Sequence, residues 1–150
     1  MKPFTKILVA TDFSDCSVEA CAYALTLARK FDASLQIVHV INEPVDLRGF
    51  YVPHISFDQL EKEIADGAVS MLETFCKENL VDFGNYTTTV VSGVPYEEII
   101  RTAQEQDASL IVIGTHGRSG LDHLIFGSTA ERVVRGAPCP VLTIRLASSN

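Results

Sequence analysis

The stretch "IVIGTHGRSGLDHLIFGSTAERVV", residues 111–134, contains four of the nine glycines in this chain. Its apolar beginning predicts a buried strand that ends at Gly114. A helix is predicted to start at about Ser128, to reach Arg135 and to stop at Gly136. A strand, a glycine-rich loop and a helix in this order are typical of α/β domains, in which ligands bind beyond the carboxyl ends of the strands.

The rest of the chain continues the same alternation of strands and helices. Pro95 and two following acids predict the start of one helix, Ser14 is a good N-cap for another, and Ser56 with Gln59 resembles a capping box for a long third helix. The predicted strands cover residues 6–11, 34–41, 86–93, 109–114 and 140–146. Short connections between such elements predict one α/β domain over residues 1–150, with a parallel sheet covered by helices on both faces.

Composition and charge exclude several classes of function. The 150-residue chain is 47% hydrophobic and 21% charged, with a formal charge of −7 and twelve scattered basic residues. Binding to nucleic acid or to an anionic membrane needs clustered Lys and Arg, so neither is expected. No apolar run is long enough to span a membrane, and no secretory signal is recognisable, so a cytoplasmic protein is expected. The four cysteines form no metal-binding spacing and are interpreted as small buried hydrophobic residues.

The glycine-rich stretch matches neither of two well-known phosphate loops. No Gly-Lys pair of a P-loop exists in the chain, and the dinucleotide fingerprint would follow the first strand rather than the fourth. Even so, Gly127 precedes Ser128 and Thr129 at a helix N-terminus, where backbone N–H groups and the helix dipole favour an anion. The alternative is that Ser128–Glu131 forms a capping box, so that the helix satisfies its own donors and the glycines serve only as turns.

Asp12 is the second candidate site residue. If the strand order is 3-2-1-4-5, the order reverses between the first and fourth strands, and Asp12 and Gly114 would meet in one crevice. A carboxylate there would accept hydrogen bonds from a ribose or a base, or help to hold a metal on phosphates. The alternative is that Asp12 forms an Asx turn that leads into the first helix. Two histidines, His116 and His123, are poorly spaced for zinc.

The chain resembles the universal stress protein family over essentially its whole length. The similar stretches are "KILVATDFSDCSVEA", "LQIVHVI", "GVPYEEII" and "IVIGTHGRSGLDHLIFGSTAERVVRGAPCPVLTIR". The last stretch contains the nucleotide signature of the ATP-binding branch, G-x-x-G, nine residues, then G-[ST]. The resemblance implies a flavodoxin-like sheet of order 3-2-1-4-5 and bound ATP, with ADP or AMP as alternatives and with or without Mg²⁺ or Mn²⁺.

By position, the resemblance also assigns residues to parts of the nucleotide. Asp12 and Val40 are expected to contact the adenosine and Gly114 the ribose, whereas Arg118, in the same loop as the glycines, would add positive charge. Ala10 stands where family members often carry proline or valine. The backbone near the adenosine is expected from Ala10, Thr11 and Ile113. The phosphates are expected at Gly117, Gly127, Ser128 and Thr129.

Three functions remain open from the sequence. The favoured one is a nucleotide-dependent sensor or regulator that acts as a homodimer, with an unidentified regulatory protein partner. The alternatives are a slow ATPase or phosphoryl- or adenylyl-transferring enzyme, and a scaffold that needs no nucleotide. No catalytic residue is predicted, because no nucleophile near the signature is paired with a base. The dimer is expected through the apolar last strand, which would otherwise expose an unpaired edge. Its expected residues are Val141, Leu142, Thr143, Ile144 and Arg145.

Overall fold

The computed structural model describes residues 2–42, 57–116 and 126–146. Its five strands form one parallel sheet in the order β3-β2-β1-β4-β5, which confirms the predicted strand order. The order reverses between β1 and β4, so the carboxyl ends of these two strands open a crevice between them. The strands are β1 (Lys6–Ala10), β2 (Ser34–Asn42), β3 (Tyr86–Gly93), β4 (Leu110–Gly114) and β5 (Val141–Ile144).

The helices cover both faces of the sheet, as predicted. Those in the described residues are α1 (Asp15–Phe31), α2 (Phe57–Asn79), α3 (Pro95–Glu105) and α4 (Ser128–Gly136). Alternate side chains of β1 divide between two cores: Ile7 and Val9 pack with α1 and α2, and Leu8 packs with α3 and α4. In the part of the chain that is described, no helix combines the length and the apolar character needed to cross a membrane.

The helix starts follow from local chemistry. Ser14 caps α1 as predicted, since its hydroxyl oxygen accepts a hydrogen bond from the N–H of Ser17 at 3.3 Å. Pro95 occupies the first turn of α3, followed by Glu97 and Glu98, which favour the positive end of the helix dipole. The predicted capping residue of α2, Ser56, lies outside the described residues.

The last strand is shorter than expected. β5 covers Val141–Ile144 rather than residues 140–146. It lies at one edge of the sheet, where the carbonyl groups of Pro140 and Ile144 accept hydrogen bonds from β4 and from Thr115. Ile144 is only 7% exposed, and it belongs to the core that packs against α1. Its side chain is therefore not part of an open surface.

The cysteines are free thiols rather than disulfides. Cys16, Cys21 and Cys76 are buried, as expected of small hydrophobic residues, whereas Cys139 is only partly buried. Burial, with a smaller contribution from the neighbouring Cys76, raises the pKa of the Cys21 thiol to about 12. Burial also raises the pKa of Cys76 to about 11. Both thiols are protonated at neutral pH and hence poor nucleophiles.

Candidate functional site

A cavity of about 380 Å³ lies at the carboxyl ends of β1 and β4, where the strand order reverses. The end of β2 and the N-termini of α3 and α4 form its other walls. The structure brings nine of the eleven expected nucleotide-binding residues to this cavity; Gly117 and Arg118 lie outside the described residues. The nine lining residues are Ala10, Thr11, Asp12, Val40, Ile113, Gly114, Gly127, Ser128 and Thr129.

The cavity has an apolar part and a polar part. Its apolar wall consists of buried side chains that belong to the core beneath α3 and α4: Ala10, Val38, Ile99 and Ile113. Its polar part is formed by Thr115 and His116 after β4 and by the first residues of α4. A flat apolar group linked to an anion matches this division, since apolar surface gains from burial and the open N–H groups of a helix start favour negative charge.

The N-terminus of α4 has no side-chain cap. The helix begins at Ser128, and Gly127 is its N-cap, with no side-chain hydrogen bond. The first helical bond runs from the N–H of Glu131 to the carbonyl of Gly127, 3.0 Å away. The capping box expected at Ser128–Glu131 is therefore wrong, because Ser128 lies inside the helix instead of at the N-cap position.

Ser128, Thr129 and Ala130 line the cavity, and their N–H groups precede the first helical bond. Such groups are the usual anion donors of a helix start. Glu131, whose charge would oppose an anion, is directed along the helix, because its carboxylate pairs with Arg135 at 2.9 Å. The exposed pair leaves the start of α4 open to a negative ligand.

Two glycines of the signature are required by packing. A Cβ on Gly127 would lie 2.6 Å from the carbonyl oxygen of Thr115, which accepts the N–H of Gly127 at 2.7 Å. A Cβ on Gly114 would lie 2.7 Å from the sulfur of Cys16 in α1. Gly127 has φ −62°, so it needs no conformation reserved for glycine. At both positions an added side chain would therefore collide with the protein itself.

Asp12 has both of the roles considered for it from sequence. Its carboxylate accepts a hydrogen bond from the N–H of Ser14 at 3.0 Å, which is the Asx turn, and the residue also lines the cavity. The turn places Phe13 in the left-handed region, with φ 68°. The buried hydroxyl of Thr11 supports this turn by accepting the N–H of Phe13 at 3.0 Å, and it lies 2.9 Å from the hydroxyl of Ser17.

His39 illustrates what the sequence missed. Its Nδ1 lies 2.8 Å from the carbonyl oxygen of Thr11, so the ring has a backbone partner. Its ring packs on Phe13, with 4.5 Å between ring centroids, yet the residue also lines the cavity. Most of the cavity wall that the sequence did not predict comes from β2 and α3. The position of the end of β2 and the start of α3 at the carboxyl edge of the sheet could have indicated that they line the cavity. The lining residues not predicted as binding residues include Ser17, Val38, Asn42, Pro95, Ile99 and Thr115.

The described residues offer no protein-only metal centre. Across residues 2–42, 57–116 and 126–146, no group of three His, Cys, Asp or Glu side chains is placed to hold an ion. Asp12 is the single carboxylate among the lining residues that are described. A divalent ion at this cavity would thus take most of its ligands from phosphate oxygens and water, a common arrangement for Mg²⁺.

Comparison with known proteins gives the family. The model of the universal stress protein family matches residues 3–145. The universal stress protein YxiE of Bacillus subtilis is 38% identical over 148 residues, which cover 95% of this chain and 99% of YxiE.

Solved structures show the same fold. MJ0577 of Methanocaldococcus jannaschii superposes with a TM-score of 0.82 at 26% identity, covering 99% of this chain and 100% of that one. A universal stress protein from Archaeoglobus fulgidus, solved in complex with dAMP, gives a TM-score of 0.57 at 24% identity and covers 95% and 99% of the two chains. The chain belongs to the universal stress protein family.

Proposed function

We propose that this protein binds ATP in the cavity between β1 and β4 and acts as a nucleotide-dependent regulator in the cytoplasm. The observation that carries the proposal is the start of α4, where Ser128, Thr129 and Ala130 line the cavity at a helix start without a side-chain cap. The apolar wall beside them suits a base. ADP and AMP share both features, so the proposal extends to them, with Mg²⁺ or Mn²⁺ carried on the phosphates.

The family supports this ligand class. A protein of the same fold was solved with dAMP, an adenine nucleotide, although at 24% identity that likeness establishes the fold alone. The residues proposed to hold the nucleotide here are therefore argued from this chain. In this proposal Asp12 and Val40 contact the nucleoside, and Gly127, Ser128 and Thr129 hold the phosphates; all five line the cavity.

The test is to identify the nucleotide and measure its affinity. Freshly purified protein is denatured, and the released small molecules are analysed by mass spectrometry. Calorimetry on nucleotide-free protein then compares ATP, ADP, AMP and GTP. We expect an adenine nucleotide to be released and to bind. Absence of any bound nucleotide, together with no heat of ATP binding, would favour the scaffold alternative.

We also propose a homodimer through β5. Ile111 and Thr115 donate to the carbonyls of Pro140 and Ile144, so the even-numbered residues of β5 face β4. Since ladder bonds alternate along a strand, the peptide groups of Val141 and Thr143 point away from the sheet, toward a partner strand. Two antiparallel copies of β5 would satisfy each other's groups about a two-fold axis.

Thr143→Pro tests the dimer without disturbing the β4–β5 ladder. The substitution removes an outward N–H, and proline is tolerated on edge strands. Light scattering should give twice the chain mass of 16.4 kDa for the parent and for Thr143→Ala, but one chain mass for Thr143→Pro. A monomeric parent would contradict the proposal. Ile144→Lys is unsuitable, because Ile144 is buried in the core.

A further inference from the structure

The second edge of the sheet, β3, is longer and less protected than β5. β3 has eight residues, Tyr86–Gly93, against four in β5. Its register with β2 advances one residue at a time from Tyr86 to Gly93, so no bulge interrupts it. Among the described strands, β3 pairs with β2 alone.

The hydrogen bonds of β2 fix which groups of β3 face outward. The N–H of Leu35 donates to the carbonyl of Asn85 at 3.0 Å, and Leu35 lies opposite Tyr86. Since a parallel ladder uses alternate residues, the odd-numbered residues of β3 bond to β2. The outward peptide groups belong to Tyr86, Thr88, Val90 and Ser92. They form a row of donors and acceptors with the spacing of an extended chain.

Within its own residues, Tyr86–Gly93, β3 has none of the sequence features that usually protect an edge strand. Natural edge strands are short, bulged, or carry Lys or Pro, and these features prevent pairing with another strand. β3 reads "YTTTVVSG", which is uncharged, free of proline and rich in β-branched residues. Thr87, Thr88 and Ser92 are exposed. An edge with this composition is suited to accept an added strand.

The charges around β3 indicate the chemistry of that strand. Residues 78–100 contain no Lys or Arg, but they contain four acids: Glu78, Asp82, Glu97 and Glu98. The basic residues nearest to this segment are Lys77 and Arg101, which border it, and Arg29 of α1, which donates to the carbonyl of Val81. Glu98 lies at the end of β3, since its Oε1 is 3.0 Å from the position of a Cβ on Gly93, and it is partly neutralised by Arg101. With a net charge of −7, this edge favours a cationic partner over an acidic one.

We propose that β3 accepts an extended segment of a partner protein, with an uncharged β-branched core flanked by Lys or Arg, as a sixth strand. A second copy of this chain fits less well, because acidic flanks would meet acidic flanks. In addition, pairing through both β3 and β5 would link the molecules into open chains instead of a closed dimer. This choice rests on the proposed function, which places the homodimer at β5 and calls for a regulatory partner.

Amide hydrogen exchange on the free protein tests whether the edge is open. The N–H groups of Thr87 and Thr89 face β2 and should exchange slowly, whereas those of Thr88 and Val90 should exchange at least about a hundredfold faster. NMR resolves these neighbours individually. Equal protection of Thr88 and Thr89 would overturn the proposal, because the chain itself would then cover the edge.

Binding of a probe peptide tests the chemistry. The probe is an acetylated and amidated peptide, KKTVTVTVKK, and the control is EETVTVTVEE; fluorescence anisotropy measures both. We expect the lysine peptide to bind at least about tenfold more tightly than the glutamate peptide, and N-methylation of its alternate amides to abolish binding. No binding of the lysine peptide at about 1 mM would overturn the proposal.

A matched pair of variants locates the binding at β3. Thr88→Pro removes an outward N–H from an exposed residue and leaves the bonds to β2 intact, so peptide affinity should fall at least about tenfold. Thr88→Ala keeps the N–H and should bind like the parent. Unchanged peptide affinity in Thr88→Pro would contradict the assignment. Both variants should keep the ATP affinity and the dimer mass of the parent. A failure of the β3 proposal can therefore be distinguished from a failure of the proposed nucleotide site or homodimer.

Discussion

The N-termini of α1 and α4 both lie beside the cavity, together with that of α3, but α1 and α4 differ in how their N–H groups are satisfied. The start of α1 is closed by side chains: Ser14 accepts the N–H of Ser17, and Asp12 accepts the N–H of Ser14. The start of α4 has Gly127 at the N-cap and no side-chain acceptor. Both helices follow strands that flank the point where the sheet order reverses.

This difference indicates which of the two helices, α1 or α4, would receive the anion of the proposed nucleotide. Both helices have a dipole of the same sense, so the dipole alone does not discriminate between them. At α1, a phosphate would have to displace the Ser14 cap, which contributes about 1 kcal/mol, and would also meet the carboxylates of Asp12 and Asp15. At α4 no cap has to be displaced. For the nucleotide proposed above, we therefore expect the phosphates at α4 and the nucleoside in the vicinity of α1.

The largest effect on ATP affinity is expected when a methyl group is added at Gly127, the N-cap of α4. In Gly127→Ala the new Cβ would lie 2.6 Å from the carbonyl oxygen of Thr115, so the peptide that starts α4 must move. We expect ATP affinity to fall about a hundredfold or more, with a loss of roughly 1–3 kcal/mol in the free energy of unfolding. Calorimetry and urea unfolding measure the two quantities.

Gly67→Ala is the matched control for this glycine. Gly67 lies within α2, where an added Cβ has no neighbour within 4 Å among the described residues. Alanine there should stabilise the helix by about 0.5–1 kcal/mol and leave ATP affinity unchanged. Parental ATP affinity in a folded Gly127→Ala protein would show that the glycine signature is only a turn.

The second-largest effect on ATP affinity is expected when an acidic side chain is introduced at the start of α4, as is found at the start of α1. Ser128→Asp places a carboxylate in the first turn of α4, where it favours the helix dipole but repels a phosphate. We expect ATP affinity to fall about tenfold to a hundredfold while the melting temperature of the nucleotide-free protein is retained or rises. Ser128→Asn, similar in size but neutral, should lose much less affinity. Equal losses in the two variants would exclude an anion at this position.

Much of this comparison could be predicted from the sequence. Apolar runs and helix signals predicted the strands and the helix starts at Ser14 and Pro95, because local hydrogen bonding determines helix starts. The strand order was implied by the family resemblance. The crevice followed from topology, since parallel strands place their carboxyl ends together. Asp12 and Gly114 were brought to one cavity as expected.

The remaining features depend on contacts between distant segments. Ser128 matched a capping box, yet the N-cap is Gly127, whose N–H donates to the carbonyl of the distant Thr115. The wall formed by His39 and Ile99 arises where β2 and α3 converge. Burial of Ile144 likewise depends on α1 packing over the edge strand. No local pattern encodes such long-range packing.

A smaller effect on ATP affinity is expected at Asp12, which forms the turn before α1 and also lines the cavity. Asp12→Asn keeps a side-chain oxygen for the Ser14 N–H, so the Asx turn and the free energy of unfolding should change little. If the carboxylate also accepts a hydrogen bond from the nucleoside, ATP affinity should fall about threefold to tenfold, as for loss of one charged acceptor. Calorimetry with ATP and with adenosine measures it. An equal or higher affinity of Asp12→Asn would show that the carboxylate serves the turn alone.

The smallest effect on ATP affinity is expected when the side-chain cap of α1 is removed. Ser14→Ala removes the oxygen that accepts the N–H of Ser17 and should lower the free energy of unfolding by about 1 kcal/mol, or a few degrees in melting temperature. Ser14→Thr retains a capping oxygen and should recover most of that loss. ATP affinity of both variants should stay within about threefold of the parent, because the phosphates are assigned to α4. An affinity loss tenfold or greater in Ser14→Ala, restored by threonine, would mean that the start of α1 also holds the ligand, and the division between the two helices would then fail.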